Sequence, residues 1–397
     1  MVFLPIANLN ERPPLSRWAP LALGFRPFFL GAGLYAVLIM ALWLLVLRGS
    51  LHLGSLSPFI WHGHEMLFGF TVAVIAGFLL TAAQNWTGIS TPSGLPLAAL
   101  FLLWLAGRVS FLVPGIPPGW VALIDLAFLP VLALVLALPI LKAKQLRNYP
   151  FPLILLVLTA ANALVHLESL GWTSGTASLG LHLAVYGVVV MMVVMGGRVI
   201  PSFTDNKLHT RARRWKSIEW LALLATLGTL LAALIAPVAL ITALLAAMAA
   251  MAHVIRLAGW YTRKVWSVPL LWVLHLGYAW IALGFALLAL SAAGLSTATG
   301  SSLHAFTAGA IGVLTLGMMT RVSLGHTGRV LETASLMTLA FVAVNLAALI
   351  RVVLPLFFPM AYMQGMVVAG LAWMVAFGLF VVFYTPILLR MRVDGRP

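Results

Sequence analysis

Long apolar runs recur along the whole chain, separated by short segments that contain polar residues, glycine or proline. An apolar run of about 18 residues or more is long enough to cross a bilayer as a helix. The pattern therefore predicts an all-α polytopic membrane protein of twelve spans, arranged as a single transmembrane domain. We place the spans at 26–47, 58–83, 94–113, 119–141, 150–170, 179–200, 218–236, 238–257, 267–292, 301–322, 334–357 and 362–389.

Basic residues lie in alternate loops, and this pattern predicts an orientation. The loops after spans four, six, eight and ten and the C-terminal end carry Lys or Arg, whereas the segments 171–178 and 293–300 carry neither. Cytoplasmic loops of membrane proteins are enriched in Lys and Arg. We therefore expect both termini in the cytoplasm, with 1–25 as a cytoplasmic leader, 26–392 as the membrane domain and 393–397 as a tail.

The composition excludes several classes of protein and of site. The chain is 63% hydrophobic and 8% charged, which rules out an ordinary soluble domain. Its net charge of +15 is explained by the basic loops, so we expect lipid and not nucleic acid as its surroundings. The absence of cysteine excludes disulfides, iron–sulfur clusters and covalent c-type haem attachment. Any metal must be bound by His, Met, carboxylate, Tyr or amide oxygen.

A short polar block, Trp61-His62-Gly63-His64-Glu65-Met66, lies near the start of span two. His64 is followed five residues later by glycine, and so are His182 and His304. The spacing is 118 residues from the first to the second histidine and 122 from the second to the third. Recurrent features at a regular spacing indicate an internal repeat. We predict a threefold repeat of four-helix units, each bringing a histidine to the same depth, at about 26–141, 150–257 and 267–389.

The predicted topology gathers polar side chains in the outer part of the membrane from spans that are distant in sequence. They are His62, His64, Glu65, Arg108, Asp125, His166, Glu168, His182 and His304. Ionisable groups inside a membrane are costly and indicate function by default. Since imidazole suits copper and haem iron, the five histidines of this set are candidate metal ligands. The two glutamates are candidates for catalytic proton transfer, or for orienting a ligand imidazole.

His62 and His64 point in different directions if span two begins as a regular helix. At about 100° per residue they lie roughly 200° apart. They could then serve two sites, or one could bind a metal while the other makes a hydrogen bond. Gly63 between them permits a local break in the helix, which would relax this restriction.

Other residues are interpreted as structural or solvent-exposed and not as ligands. A single polar residue in a span is often a helix–helix hydrogen-bonding group, and this alternative applies to each histidine taken alone. We expect His52 in an outer loop, and His209 and His253 to be solvated or interfacial near the cytoplasmic face. The methionines of span six are interpreted as packing residues, since methionine is a common apolar filler: Met191, Met192 and Met195.

Several stretches also carry a resemblance to a known family. They are Leu23–Phe29, Trp61–Met66, Gly77–Thr81 with Trp86–Gly88, Gly197–Pro201 and Gly317–Arg329. Over nearly its full length the sequence resembles the NnrS family of bacterial inner-membrane proteins. The family is associated with denitrification and nitric oxide stress, and its members are described as containing haem and copper. The resemblance implies those cofactors, with haem held non-covalently, and an inner-membrane location.

The predicted architecture is also similar, more weakly, to the haem–copper oxidase superfamily, in which helices two and ten hold haem and helix six contributes a copper ligand. That similarity implies His62 or His64 together with His304 for haem, and His182 for copper. Span seven departs from it, because residues 218–236 contain no histidine. His166 on span five would then replace a missing ligand.

These observations lead to one functional hypothesis and two alternatives. The first is a haem and copper metalloprotein of nitric oxide metabolism or tolerance, with its metal site near the periplasmic face. If it is an enzyme, it reduces nitric oxide like a nitric oxide reductase, with Glu65 or Glu168 handling protons and a quinol or redox protein supplying electrons. The alternatives are a non-catalytic haem sensor or metal-handling protein, and a secondary transporter with His and Glu as proton-coupling groups.

Overall fold

The computed structural model describes residues 18–51, 56–295 and 299–394. His52 lies outside the described residues, as do most of the leader and the last three residues of the tail. The described residues form twelve main helices. These are α1 Phe25–Leu47, α2 Pro58–Thr87, α3 Leu95–Ser110, α4 Pro118–Lys142, α5 Pro150–Ser169, α6 Thr176–Leu208, α7 Lys216–Ile235, α8 Leu240–Trp260, α9 Pro269–Ala292, α10 Gly300–His326, α11 Ser335–Phe357 and α12 Tyr362–Leu389.

The twelve helices confirm the predicted all-α polytopic membrane protein. Eleven are long and apolar enough to cross a bilayer, and α3 is a shorter apolar helix of 16 residues. Proline occupies the first turn of α2, α4, α5 and α9, where the missing N–H costs no hydrogen bond. The largest difference from the predicted boundaries is α6, which continues through Pro201 to a length of 33 residues.

Neighbouring helices in sequence pack against one another, and α1 packs against α12. The two described chain ends also pair directly, because the Ala19 backbone N–H donates to the Leu389 carbonyl at 2.8 Å. Both ends therefore lie on one side of the bundle, as an even number of spans requires. We call this side proximal and the opposite side distal; the basic-loop prediction makes the distal side periplasmic.

Two of the helices contain a π-helical segment at corresponding positions. Glu65–Thr71 in α2 begins directly after His64, and Ala305–Ile311 in α10 begins directly after His304. π-Helical turns are rare and often lie at functional sites. Their matching positions support the predicted repeat for its first and third units. Helix α6, which carries His182, is α-helical throughout.

Candidate functional site

A cavity of about 330 Å³ lies in the distal half of the bundle, between α1, α2, α6, α10, α11 and α12. Its walls bring together three of the predicted histidines: His62, His182 and His304. They lie on α2, α6 and α10, the helices that the repeat predicted, but α2 contributes His62 where the repeat pointed to His64. The remaining wall is largely apolar and aromatic, and its aromatic residues are Trp43, Phe59, Phe70 and Trp373.

Two of these histidines are oriented in the same way. The Nδ1 atom of His182 lies 2.8 Å from the Ser178 carbonyl oxygen, and that of His304 lies 2.7 Å from the Gly300 carbonyl oxygen. Each ring thus donates from Nδ1 to the backbone one turn earlier, which leaves the Nε2 lone pair available for a metal. This is the arrangement by which proteins fix the tautomer of a metal-binding imidazole.

The third cavity histidine, His62, is held by an aromatic ring. It stacks on Trp43, with the ring centroids 4.3 Å apart and the planes inclined by 17°. Its Nδ1 atom is buried and has no hydrogen-bond partner among the described residues. A buried ring nitrogen without a partner is costly and needs an explanation, and a ligand in the cavity would provide one.

His182 also borders a second cavity of about 270 Å³, at the distal ends of α6, α7, α9 and α10. Ser178, His182 and Leu303 line both cavities. These three side chains therefore form the partition between the two spaces.

His64 does not reach the main cavity and belongs to a buried cluster on the other side of α2. Its ring contacts residues of α4 and α5. Nδ1 lies 2.7 Å from Glu65 Oε1, and Nε2 lies 2.9 Å from Asn162 Oδ1 and 3.2 Å from Asp125 Oδ2. The prediction that His62 and His64 would face different surroundings is therefore confirmed, whereas His64 does not share a common site with His182 and His304.

The cluster is completed by residues from five helices. His166 Nε2 lies 2.8 Å from Asp125 Oδ2, and Asn162 Nδ2 donates to the same oxygen at 2.7 Å. Arg108 donates to Glu65 Oε1 at 2.7 Å and forms an ion pair with Asp125. The Tyr35 hydroxyl donates to Glu65 Oε2. Every member of the cluster is at most 5% exposed.

Charge balance in this cluster leaves room for one more positive charge. Two carboxylates, Glu65 and Asp125, face a single guanidinium from Arg108. Buried charges are stable only when they are paired. Both ring nitrogens of His64 face oxygen acceptors, so the balance is completed either by a His64 ring that donates from both nitrogens or by a cation bound at Nε2. A void of about 10 Å³ borders Arg108, Asp125 and Asn162, about the room needed by one water.

The distances between possible ligand atoms indicate that the buried cluster and the main cavity suit groups of different size. Among the described residues, one set of three His or carboxylate side chains brings its ligand atoms within 4.8 Å of one another: His64, Asp125 and His166. The three cavity histidines are farther apart than this. The buried cluster thus suits a single ion, and the cavity suits a larger group.

The comparison with protein families agrees with this architecture. A family model described as NnrS protein matches residues 19–392. The chain belongs to the NnrS family. The matched range contains the cavity histidines and the whole buried cluster. A comparison with curated proteins finds no match.

One predicted site residue of this NnrS family member lies apart from both groups. Glu168, near the distal end of α5, accepts a hydrogen bond at 2.7 Å from the backbone N–H of Ala177 in the first turn of α6. Such a carboxylate satisfies an unpaired N–H and favours the positive end of the helix dipole. The structure therefore gives Glu168 a capping contact, and of the two glutamates Glu65 alone is in the ionic cluster.

The expectation that His253 is solvated or interfacial is wrong. The residue is fully buried, with Nδ1 2.8 Å from the Tyr278 hydroxyl and Nε2 2.9 Å from Thr226 Oγ1. The burial of His253 could not be predicted from its sequence position near the proximal end. It depends on the packing of α8 between α7 and α9. His209, in contrast, is exposed at the end of α6, as expected.

The span-six methionines line a third, almost entirely apolar cavity of about 100 Å³. Met191, Met192 and Met195 share it with Met318 and with aliphatic side chains. This environment is typical of methionine as a packing residue.

Three residues that bear on the site were not identified from the sequence. Tyr35 contributes to the cluster, Trp43 stacks on His62, and Arg351 lines the main cavity. Arg351 carried an available signal, because it is a charged residue inside predicted span eleven. Tyr35 and Trp43 carried no such signal, because both lie in span one among apolar residues.

Proposed function

We propose that this protein is a haem- and copper-binding protein of the bacterial inner membrane that acts in nitric oxide metabolism or tolerance. The observation that carries the proposal is the cavity to which α2, α6 and α10 each contribute one histidine. Its volume of about 330 Å³ falls within the range of small-molecule and cofactor pockets.

The cavity residues fit a haem. His62 and His304 supply imidazoles from opposite repeat units, and His304 presents Nε2 with its Nδ1 anchored on a carbonyl. The aromatic walls suit a flat apolar macrocycle, and the three histidines, whose ligand atoms are not all within 4.8 Å of one another, suit a group larger than one ion. A haem bound there would supply an iron centre able to bind nitric oxide. His182 lies between the main cavity and the second cavity. It could therefore contact a further ligand or a molecule that enters from the second cavity.

The buried cluster fits a single copper ion. His64, Asp125 and His166 offer two imidazoles and a carboxylate within 4.8 Å of one another. Glu65 accepts from the other ring nitrogen of His64 at 2.7 Å, which is the contact expected of a carboxylate that orients a metal-binding imidazole. This assignment moves the proposed copper ligands from His182 to α2, α4 and α5.

If the protein is an enzyme, the reaction we propose is reduction of nitric oxide, which consumes protons and electrons. Tyr35, Glu65, His64, Asn162 and Asp125 form a continuous hydrogen-bonded chain that ends at His166 near the distal end of α5. Because copper would occupy His64, Asp125 and His166, we propose that protons are held at the other end of this chain, with Glu65 as the acceptor beside the Tyr35 hydroxyl. Electrons would come from a quinol or a redox protein.

Metal analysis and absorbance spectra of purified variants test the two assignments separately. We expect His62→Ala and His304→Ala to lose most of the haem while keeping copper. We expect His166→Ala and Asp125→Asn to lose copper while keeping haem. His209→Ala is the matched control, because His209 is exposed at the end of α6 and should change neither metal.

Full haem in a His62→Ala, His304→Ala double variant would refute the cavity assignment. A colourless wild-type preparation from cells rich in haem and copper would refute the proposal and favour a transporter. Nitric oxide consumption by the purified protein with a chemical reductant then separates an enzyme from a sensor.

A further inference from the structure

The main cavity contains one residue with a permanent charge. Arg351, near the distal end of α11, lines the cavity and is its single Asp, Glu, Lys or Arg among the described lining residues. Its NH2 group donates to the Tyr362 hydroxyl at 3.0 Å, and its guanidinium carbon lies 5.1 Å from the centroid of that ring. Tyr362 opens α12, so the pair joins the ends of two helices.

None of the carboxylates that the structure describes pairs with Arg351. The sequence has eight Asp and Glu residues, of which Glu11 lies outside the described part. The other seven have partners elsewhere. They are Glu65 and Asp125 in the buried cluster, Glu168 at the start of α6, Asp205 on Ala212, Glu219 on Arg256, Glu332 near Lys207 and Asp394 on Arg392. The described cavity wall thus carries a cation without a matching anion.

The contacts of Arg351 leave donors available for a ligand. A guanidinium has five N–H groups in a planar fork that matches the two oxygens of a carboxylate. Tyr362 accepts one of these N–H groups and holds the guanidinium in place, which leaves the others for a ligand. Arg351 is partly buried, and an anion that enters with the ligand would form charge-assisted hydrogen bonds with it.

We propose that Arg351, with its guanidinium positioned by Tyr362, forms a binding subsite for a two-oxygen anion of the carboxylate type at the distal end of the cavity. The apolar and aromatic walls favour an anion carried by a large apolar body, and so a carboxylate side chain of a porphyrin. This deepens the proposed function and rests on it. A free small oxyanion such as acetate or nitrite offers the same chemistry and is distinguished by the test.

The test uses the full-length protein prepared without haem, titrated with haemin and with haemin dimethyl ester while the Soret band is recorded. The variants are Arg351→Gln, Arg351→Lys and Tyr362→Phe. Arg48→Gln is the matched control, because Arg48 lies at the same end of the bundle but is exposed outside the cavity.

We expect wild type to bind haemin at least about tenfold more tightly than the diester, as a charge-assisted pair of hydrogen bonds would give. Arg351→Gln should remove the preference, Tyr362→Phe should reduce it, and Arg351→Lys should restore part of it. Arg48→Gln should bind as wild type does. Equal binding of the two porphyrins by wild type, with acetate or nitrite shifting the spectrum in wild type but not in Arg351→Gln, would assign the subsite to a free oxyanion.

Two further outcomes are distinguishable from these. Equal binding of both porphyrins with no response to acetate or nitrite would overturn the subsite and leave the haem proposal standing. If wild type binds neither porphyrin, the haem proposal fails, and tryptophan fluorescence during acetate and nitrite titration decides the subsite. A response in wild type that Arg351→Gln abolishes would support it, and no response would overturn it.

Discussion

At the residue scale, His62 and His64 serve different parts of the molecule although only Gly63 separates them. His62 stacks on Trp43 in the wall of the main cavity, whereas His64 is fully enclosed among Glu65, Asp125 and Asn162. Gly63 fits between the two sites because a Cβ at this position would lie 2.8 Å from Leu181 Cδ1. The close approach of α6 to α2 at this point brings His182 to the same cavity.

Arg108 is the residue on which the stability of the buried cluster depends most directly. It pairs with both Glu65 and Asp125, and all three side chains are at most 3% exposed. We expect Arg108→Gln to lower the free energy of unfolding by about 3–5 kcal/mol, because it leaves two buried carboxylates without their cation. Thermal unfolding in detergent, followed by circular dichroism, measures the effect.

The control for this prediction is Arg214→Gln. Arg214 lies 4.0 Å from Asp205 in a pair that is partly exposed to solvent. Such pairs contribute about 0–1 kcal/mol, so this variant should unfold close to wild type. Equal midpoints for the two variants would show that Arg108 does not hold the cluster together.

At the element scale, helix packing in the distal half depends on small residues at close crossings. Gly180 in α6 faces α5, and a Cβ built on it would collide with the Ala161 carbonyl oxygen and press on Leu164 and Val165. Small residues allow the backbones of membrane helices to approach closely. The crossing places Asn162 and His166 of α5 beside His64.

We expect Gly180→Ala to destabilise the protein by about 1–3 kcal/mol, because the carbonyl cannot move without shifting α5. Copper bound at the cluster should also decrease if α5 is displaced. Gly378→Ala is the matched control, since Gly378 lies inside α12 and a Cβ there meets no atom within 4 Å. That variant should be neutral or slightly stabilising. The prediction would be wrong if Gly180→Ala unfolded like Gly378→Ala.

The two π-helical segments are a structural feature that the first and third predicted repeat units share. Each one lies at the same place relative to His64 or His304. A π turn changes the facing of the residues before it relative to those after it, so a regular helical projection from the sequence misplaces one end of the helix. The histidine–glycine spacing indicated the repeat and predicted that His64 would lie with His182 and His304. In the structure, the histidine that α2 contributes to the cavity is His62.

At the scale of the whole molecule, the twelve helices place both chain ends on one side, and loop charges predict that this side is cytoplasmic. The chain has no cysteine, so single cysteines report position without a background. Ser174 lies in the α5–α6 loop on the distal side and Arg211 in the α6–α7 loop on the proximal side, and both are exposed.

We expect Ser174→Cys to react with a membrane-impermeant maleimide on intact spheroplasts. Arg211→Cys should react only after the membrane is permeabilised. The opposite pattern would reverse the orientation and place both proposed metal sites on the cytoplasmic side. The cysteine-free parent protein is the control for non-specific labelling.

The sequence by itself determined the class of the protein, the number of helices and most of their limits. These depend on local composition, because a run of apolar residues must be helical to satisfy its backbone in a bilayer. It also identified the family. It predicted that six ionisable residues in the outer part of the membrane are candidate site residues: His62, His64, Glu65, His166, His182 and His304. The sidedness of the loops followed from charge alone and stays a prediction.

Only the tertiary structure decided which of these residues meet. A soluble helix shows its buried face by an apolar stripe, but here lipid and protein interior are both apolar, so the facing of each helix leaves little trace in the sequence. Packing placed His62 in the cavity wall and His64 in the buried cluster, paired Arg108 with two carboxylates and gave Glu168 a capping contact. They also brought Arg351 from the far end of the chain to the cavity wall. That contact depends on how α11 packs against α10 and α12, which no local sequence pattern records.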